Sequence, residues 1–377
     1  MKLSLAGVVP RIVPMRSFII SVLSVLFCPV FATADEKPLL TEKEITEGWI
    51  LLFDGGTTFG WKIDGEGSVK DGVLKLGGSK QTVAAPTTQL FAGDFKMECE
   101  GLAHVHLKTK NEESSFGLTP QPTNFQLKLR FSKEGSDSGT ETNVGPDKIV
   151  HIKADAGTNG PATLSFEVPA GGTLAIKSLK AKPFGAKPLF NGKNLDGWKV
   201  FQGDPKRAAT KFDVTPAREL SAKNGPGDLQ TEKQFDDFIL QLECKTNGKA
   251  LNSGIFFRCI PDQYQNGYEA QIQNAYLGDR TKPLDYGTGA IYRRVAARKV
   301  VSNDNEWFTM TVVAQGAHFS TWVNGYQTVD WTDDRKANDN PRQGLRTEKG
   351  HLSIQGHDPT TDLLFRNIRI AELPRKD

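Results

Sequence analysis

The stretch HFSTWVNGYQTVDW (residues 318–331) reads as two β-strands folded back on each other. Asn324-Gly325 stands at its centre, and that dipeptide tolerates the positive φ angles of a tight two-residue hairpin turn. The same period of two runs through FQLKLRF (125–131), with Phe125, Leu127, Leu129 and Phe131 on one face and Gln126, Lys128 and Arg130 on the other, and through TLSFEV (163–168). No helical periodicity lasts more than two turns beyond residue 50. Glycine supplies 37 of the 377 residues, above the usual share of roughly 7%. Short antiparallel strands joined by Gly-rich turns predict an all-β sandwich or jelly roll.

The chain also repeats itself. Leu52-Phe53-Asp54-Gly55 with Trp61 behind it returns as Leu189-Phe190-Asn191-Gly192 with Trp198 behind it. Asp94-Phe95 and Asp237-Phe238 each open a strand, ending at Cys99 and Cys244, and TLAIKSLKAKP (173–183) is echoed by FRNIRIAELP (365–374). Two sandwiches of related architecture are expected at about 48–184 and 188–374, with a very short linker at Ala186-Lys187.

Residues 17–31 form a short apolar run behind Arg11 and Arg16 and end in Ala32-Thr33-Ala34. That pattern predicts a secretory signal peptide (1–34) cleaved after Ala34 and an exported protein, periplasmic or extracellular, with no membrane segment in its mature form. Three of the 47 basic residues (Lys2, Arg11, Arg16) lie in that leader, leaving 44 against 44 acidic ones. A neutral mature chain argues against nucleic acid as a partner. With 38% hydrophobic and 24% charged residues, it can bury a core. Cys99, Cys244 and Cys259 fit neither a disulfide framework nor a zinc pattern and are expected as buried thiols.

Alternation picks out three polar faces in the second half. Arg258 stands opposite Ile255, Phe257 and Cys259, behind Asn252-Ser253-Gly254 at the strand start. Glu269, Gln271 and Gln273 share a face, and so do Ser353, Gln355 and His357. Each face alone reads as the solvated side of a strand; together they place a carboxylate, a guanidinium, an imidazole and several amides on one sheet face. Tyr264, Tyr268, Tyr286, Tyr292, Trp322 and Trp331 are available to stack on sugar rings or to pack the core. His104 and His106 form a pair without a carboxylate in phase, and Asp333-Asp334-Arg335-Lys336 reads as a solvated loop.

LFNGKNLDGW (189–198), DFILQLECK (237–245), NSGIFFR (252–258), GYEAQIQ (267–273), GTGAIY (287–292), WVNG (322–325) and IQGHDPTTDLLFRNIRIAEL (354–373) follow one another as in the 3-keto-disaccharide hydrolase family. The resemblance spans 188–374; residues 48–184 share only its LFDG start and closing strand. It implies two concanavalin-like jelly-roll β-sandwich domains in tandem, the first degenerate. It also implies a substrate oxidised at C3 of a glucosyl unit, broken by elimination across C1–C2, hydrated at the resulting glucal, or both, and supplied by a sugar 3-dehydrogenase. On that footing His357 is the expected base or metal ligand and Glu269 the other ligand or acid/base. Arg258 orients substrate or stabilises an oxyanion, Asn252, Gln271 and Gln355 bind ring hydroxyls, and Tyr292 stacks or lends its hydroxyl. A divalent metal ion bridging the C2 and C3 oxygens would stabilise an enediolate, although no dense ligand motif demands one. The family often carries an Asp where this chain has Asn274, with Asp279 and Asp285 as nearby substitutes. A sugar-binding protein without turnover is the competing expectation, and Asn274 is the feature in its favour.

Overall fold

The computed structural model describes residues 39–89, 93–108, 113–118, 123–132, 148–155, 163–183 and 185–373; the expected leader and its cleavage point lie outside them. Among the described residues the chain is almost wholly β. Residues from Leu39 onward form one compact unit, and no described helix is long and apolar enough to cross a membrane.

Four sheets account for the strands. A seven-stranded sheet runs Lys148–Asp155, Thr123–Ser132, Gly93–Gly101, Thr173–Pro183, Val73–Gly77, Gly67–Lys70, with Ile50–Leu51 also on Thr173–Pro183. It faces a five-stranded sheet of Trp61–Asp64, Thr82–Pro86, Thr163–Val168, Ala103–Lys108 and Glu113–Leu118. In the second sandwich an eight-stranded sheet runs Lys211–Val214, Leu220–Lys223, Asp362–Leu373, Asp237–Thr246, Phe308–Gln315, His318–Val323, Tyr326–Thr332, with Lys187–Pro188 on Asp362–Leu373. Its partner has the order Trp198–Val200, Gly227–Phe235, Gly350–Gly356, Ser253–Cys259, Tyr268–Ile272. The expected antiparallel pairing holds except between Lys148–Asp155 and Thr123–Ser132, which run parallel. FQLKLRF lies within Thr123–Ser132 as expected; the faces of its side chains lie outside the described residues.

The sequence repeat is a repeat of hydrogen bonds. The Trp61 indole donates to the Leu52 carbonyl and the Trp198 indole to the Leu189 carbonyl. Leu52 and Phe53 both donate to the Leu179 carbonyl, as Leu189 and Phe190 do to that of Ile368. Asp54 Oδ1 closes a turn by accepting from Gly56 and Thr57, and Asn191 Oδ1 accepts likewise from Lys193 and Asn194. The hairpin at Asn324-Gly325 has the expected positive φ at both positions, 48° and 74°. Gly325 is needed twice over, because a Cβ there would come within 2.2 Å of Leu40. Cys99, Cys244 and Cys259 are free and buried. Burial pushes the Cys99 thiol up to about 12 and the other two well above their ordinary value.

One element had a signal that strand periodicity passes over. Thr41-Glu42-Lys43-Glu44 is a capping box: the Thr41 hydroxyl accepts from the Glu44 amide while the Glu44 carboxylate accepts from the Thr41 amide, starting the helix Glu42–Glu47.

The eight-stranded sheet is buried on both faces. Phe238, Leu240, Leu242, Met310, Val312 and Phe319 point into the second sandwich's core. Ile239, Val313, Trp322 and Ala371 point the other way and join the core of the first sandwich. Polar groups seal this junction. Trp322 Nε1 donates to the Leu51 carbonyl at 2.9 Å, Gln241 Nε2 to that of Gly48 at 2.9 Å, and Thr87 Oγ1 to Asp330 at 2.8 Å. Asp54 Oδ2, which also accepts from the Thr57 hydroxyl, binds Arg298 at 2.7 Å, with the two side chains 5% and 19% exposed. Arg298 also donates to Thr57 Oγ1 and the Gln327 carbonyl and lies over the rings of Phe59 and Tyr326.

Asp54→Asn keeps the turn acceptor but removes the charge from Arg298. It is expected to lower unfolding stability by about 1–3 kcal/mol, whereas Asn191→Asp at the repeated position changes it by at most about 0.5 kcal/mol; calorimetric melting measures both. A chain cut to residues 185–377 exposes the Trp322 face and is expected to self-associate and bind a hydrophobic dye. A monomeric, cooperatively unfolding fragment would show that this face does not need its cover.

Candidate functional site

The five-stranded sheet of the second sandwich turns Leu229, Ile255, Phe257, Ala270, Leu352 and Ile354 into the core. The alternate residues form its outer face. Asp228 stands opposite Gln355 and Gln230 opposite Ser353. Ser353 stands opposite Phe256, and Phe256 and Gly254 opposite Glu269 and Gln271. A solvated face would be exposed, yet every polar side chain in this array is at least nine-tenths buried. Loops fold over it: Gln230 donates to the Gln263 carbonyl and Gln355 to Gln265 Oε1. Arg342 donates to the Gln265 carbonyl.

Five atoms of the array are buried without a hydrogen-bond partner: Asp228 Oδ1, Gln230 Oε1, Gln271 Oε1, Ser353 Oγ and Gln355 Oε1. Each such atom costs about 1–3 kcal/mol when nothing pairs with it. Four are pure acceptors in these side chains' usual forms, so they are suited to an enclosed donor such as water. Burial also pushes the Asp228 carboxyl up to about 7, against hydrogen bonds from Gln230 and the Gln265 amide that pull it down.

Glu269 occupies the edge of this floor because Gly254 has no side chain. A Cβ on Gly254 would lie 2.4 Å from Glu269 Oε1 and 2.7 Å from its Cγ. Glu269 is 8% exposed, and among the described residues no hydrogen bond or ion pair reaches its carboxyl. Burial pushes it up to about 8; Arg342 and Arg293 pull it down and Asp285 pushes it up. It lines a cavity of about 220 Å³ with Phe256, Tyr292, Arg293, Arg294 and Arg342. Asp285 sits beside it and accepts from Asn252 Nδ2 at 2.7 Å and from Gln271 Nε2 at 3.0 Å. Tyr286 meets Tyr292 edge-on with centroids 5.2 Å apart.

Glu269, Gln271, Asn252 and Tyr292 thus come together, and Gln355 lies further along the same floor. Arg258 does not join them. Its guanidinium is fully buried, bound to Asp237 at 2.7 Å and to the carbonyls of Gly316 and Arg346. It is a tie between the two sheets, and the expected role in substrate binding is withdrawn. His357 lies just past its strand, 41% exposed and bonded to Asp358 at 2.8 Å, and it is not among the residues lining the Glu269 cavity. Nor do Glu269 and His357 form a metal site. Among the described residues no three of His, Cys, Asp and Glu gather as ligands, and Glu269 lies instead among guanidiniums, which repel a cation. A divalent metal does not fit this donor set.

Asn274 has a structural task. Its Oδ1 accepts from Thr288 and Ser302 and its Nδ2 donates to Asp304, bracing the loop that carries Asp285 and Tyr292. Asp279 is a surface turn residue bonded to Thr281. Of the six aromatics, Tyr268 and Trp322 are buried, Trp331 packs on the core, and Tyr264 packs on Phe201 and Arg207. Of the six, Tyr268 and Tyr292 line the cavity, and Tyr286 packs edge-on against Tyr292. Asp333 corrects the solvated-loop reading: it is 1% exposed, accepts from the Tyr268 hydroxyl and pairs with Arg335. In the first sandwich Glu167 lies 3.3 Å from His106, supplying the carboxylate that spacing alone did not show.

Sequence reasoning passed over Asp228, Gln230, Arg293, Arg294 and Arg342. The basic run Arg293-Arg294 directly after Tyr292 was the available signal; Arg342, in a loop far along the chain, had none.

Residues 185–371 match the profile of the 3-keto-alpha-glucoside-1,2-lyase-like domain. No curated protein matches the chain. Among solved structures, two candidate glycosyl hydrolases from Parabacteroides distasonis ATCC 8503 are similar. One is 27% identical over 50% of this chain and 100% of its own, with a TM-score of 0.40; the other is 23% identical over 50% and 94%, with a TM-score of 0.41. A Bacillus licheniformis beta-glucanase is 14% identical over 51% and 99%, with a TM-score of 0.36.

Glu269 keeps its proton to about pH 8 when folded and releases it near the ordinary 4.5 when unfolded. Between those values the folded state binds more protons, so this group makes stability fall as pH rises. Glu269→Gln is therefore expected to melt higher than wild type at about pH 8 and little differently at about pH 4. Asp228 sustains the remainder of the slope. Gly254→Ala, by pushing the carboxyl out, should flatten the slope in the same way; an unchanged slope in both variants would mean that Glu269 is solvated.

Proposed function

Residues 185–371 belong to the 3-keto-alpha-glucoside-1,2-lyase-like domain family, and on that premise we propose that the chain cleaves glycosides whose glucosyl ring carries a ketone at C3. The observation that carries this reading is the desolvated carboxyl of Glu269, which no hydrogen bond reaches among the described residues, set beside arginines in a cavity at the edge of the acceptor-rich floor.

A C3 ketone acidifies the proton at C2. Glu269 as carboxylate takes that proton; its raised proton affinity makes it a stronger base than an ordinary glutamate. Negative charge moves to the C3 oxygen, where Arg342 and Arg293 stabilise it in a partly dehydrated cavity. The enolate then expels the C1 oxygen, which takes a proton from water, leaving a C1–C2 double bond. Hydroxide adds at C1 and Glu269 returns its proton to C2, so the sum is hydrolysis of the glycosidic bond. Gln271, Gln355 and Asn252 hold hydroxyls, directly or through Asp285, and Tyr292 forms a wall for the ring. Arg342 and Arg293 take over the part expected of Arg258, and no step needs His357 or a metal.

The protein is proposed to act after export and removal of residues 1–34, downstream of an enzyme that oxidises the C3 hydroxyl. The alternative of binding without turnover loses its motive, since Asn274 is accounted for as a loop brace.

The chain from Asp35 is to be incubated with a 3-keto-glucoside and products followed by NMR. Glucal or 3-ketoglucose should form. Glu269→Gln should slow this by at least about 10²-fold, while His357→Ala and added chelator leave the rate within about twofold. The wild-type kcat/KM should climb with pH up to about 8 as Glu269 ionises. Equal loss in the His357 and Glu269 variants, or inhibition by chelator, would move the chemistry elsewhere. Saturable binding without product would make the chain a sugar-binding protein.

A further inference from the structure

We infer that Asp228, Gln230, Ser353 and Gln355 form a binding site for a monovalent hard cation, sodium or potassium, in the floor of the second sandwich's five-stranded sheet. The site is separate from the Glu269 cavity, and the inference does not depend on the reaction proposed above.

Among the described residues five acids are at least nine-tenths buried: Asp228, Asp237, Glu243, Glu269 and Asp333. Buried charges are paired or bind a metal ion. Three of the five hold an arginine: Asp237 with Arg258, Glu243 with Arg366 and Asp333 with Arg335. Glu269 has the part argued above. Asp228 is left over. It is fully buried, and among the described residues no lysine, arginine or histidine lies within 4.0 Å of its carboxylate. Gln230 Nε2 and the Gln265 amide both donate to its Oδ2, and Oδ1 has no partner. Of the arginines on the surrounding loops, Arg342 donates to the Gln265 carbonyl and Arg207 lies over the Tyr264 ring.

The neighbours of Asp228 offer oxygens. Asp228 stands opposite Gln355, and Gln230 opposite Ser353, on adjacent antiparallel strands, so the four side chains make a square on one face. Gln230 Oε1, Ser353 Oγ and Gln355 Oε1 are buried without a partner, as Asp228 Oδ1 is. The two amides cannot turn round to help. Gln230 Nε2 donates to Asp228 Oδ2 and to the Gln263 carbonyl, and Gln355 Nε2 to Gln265 Oε1; reversing either would set oxygen against oxygen. A proton on Asp228 would serve one of the other three oxygens. A water would serve two and leave the carboxylate's charge unbalanced. A cation meets all four. A donor set of oxygen alone, without nitrogen or sulfur, suits hard ions rather than zinc or copper. One carboxylate among neutral oxygens balances one positive charge, hence a monovalent ion. The second lone pair of Gln355 Oε1 stays available for a hydroxyl. Because Gln263 and Gln265 are tied to the same side chains, the ion also fastens their loop to the floor.

The test is thermal melting of the chain from Asp35 in choline chloride, titrated at constant ionic strength with sodium, potassium or calcium chloride. Sodium or potassium should raise the melting temperature saturably, by about 2–4 °C at about tenfold its Kd, and the better of the two sets the size of the site. Asp228→Asn removes the charge but keeps the acceptor for Gln230, and it should abolish the rise. Ser353→Ala, a smaller change that alters one ligand atom, should weaken the apparent affinity several-fold. Identical melting in choline, sodium and potassium, or a rise undiminished in both variants, would overturn the inference. Calcium binding more tightly than either alkali ion would also overturn it, because the site would then hold two charges against one carboxylate. Alkali-dependent melting without turnover of a 3-keto-glucoside would leave this site standing and remove the proposed reaction; turnover by a chain whose melting ignores the cation would do the reverse.

Discussion

The constraint on which the molecule depends is that its eight-stranded sheet has two faces to bury. One face packs on the five-stranded sheet of the same sandwich. The other carries Trp322, Ile239, Val313 and Ala371, which water would penalise, and it is covered by the first sandwich. The five-stranded sheet therefore keeps an outer face that its own loops cover, and the site is built there. The first sandwich need not hold a site of its own to matter. Its Leu52-Phe53-Asp54-Gly55 turn grips Arg298, only a few residues beyond Tyr292 and Arg293, so the cavity wall is anchored to the other half of the chain.

On that outer face, two omissions of matter set the chemistry. Gly254 omits a side chain, and the carboxyl of Glu269 fills the room left. The floor omits donors, so acceptors on Asp228, Gln230, Gln271 and Gln355 stay unpaired. Both are costly in a free protein, and sites that give up stability in this way are where ligands bind. The arginines complete the setting. They favour negative charge at the ring while burial favours a protonated Glu269, and burial is the larger effect.

How far the sequence could be read follows from where alternation holds. It holds through Tyr268–Ile272 and up to Gly356, so Glu269, Gln271 and Gln355 were legible as one face. It fails at Arg258, where φ is +52° and the register with the neighbouring strand slips between Phe256 and Cys259; the side chain swings to Asp237 instead. His357 lies beyond the last strand residue, where a period of two has no meaning. Asp333 looked solvated because its cluster is charged, yet Tyr268, distant in sequence, gives it a buried partner. Arg293 and Arg342 sit on loops, whose paths no periodicity encodes. The repeat was more legible than the site, because its Leu, Phe and Trp make the same local bonds in both copies.

The central claim is that Glu269 is a proton carrier tuned by burial in the cleft. A carbon-detected NMR titration of the glutamate side-chain carboxyls, with the Glu269 signal assigned by its loss in Glu269→Gln, tests it directly. The account predicts a midpoint near 8 that drops toward the ordinary glutamate range in Gly254→Ala. A wild-type midpoint near 4.5 would contradict it, for Glu269 would then be one more solvated acid on a strand face.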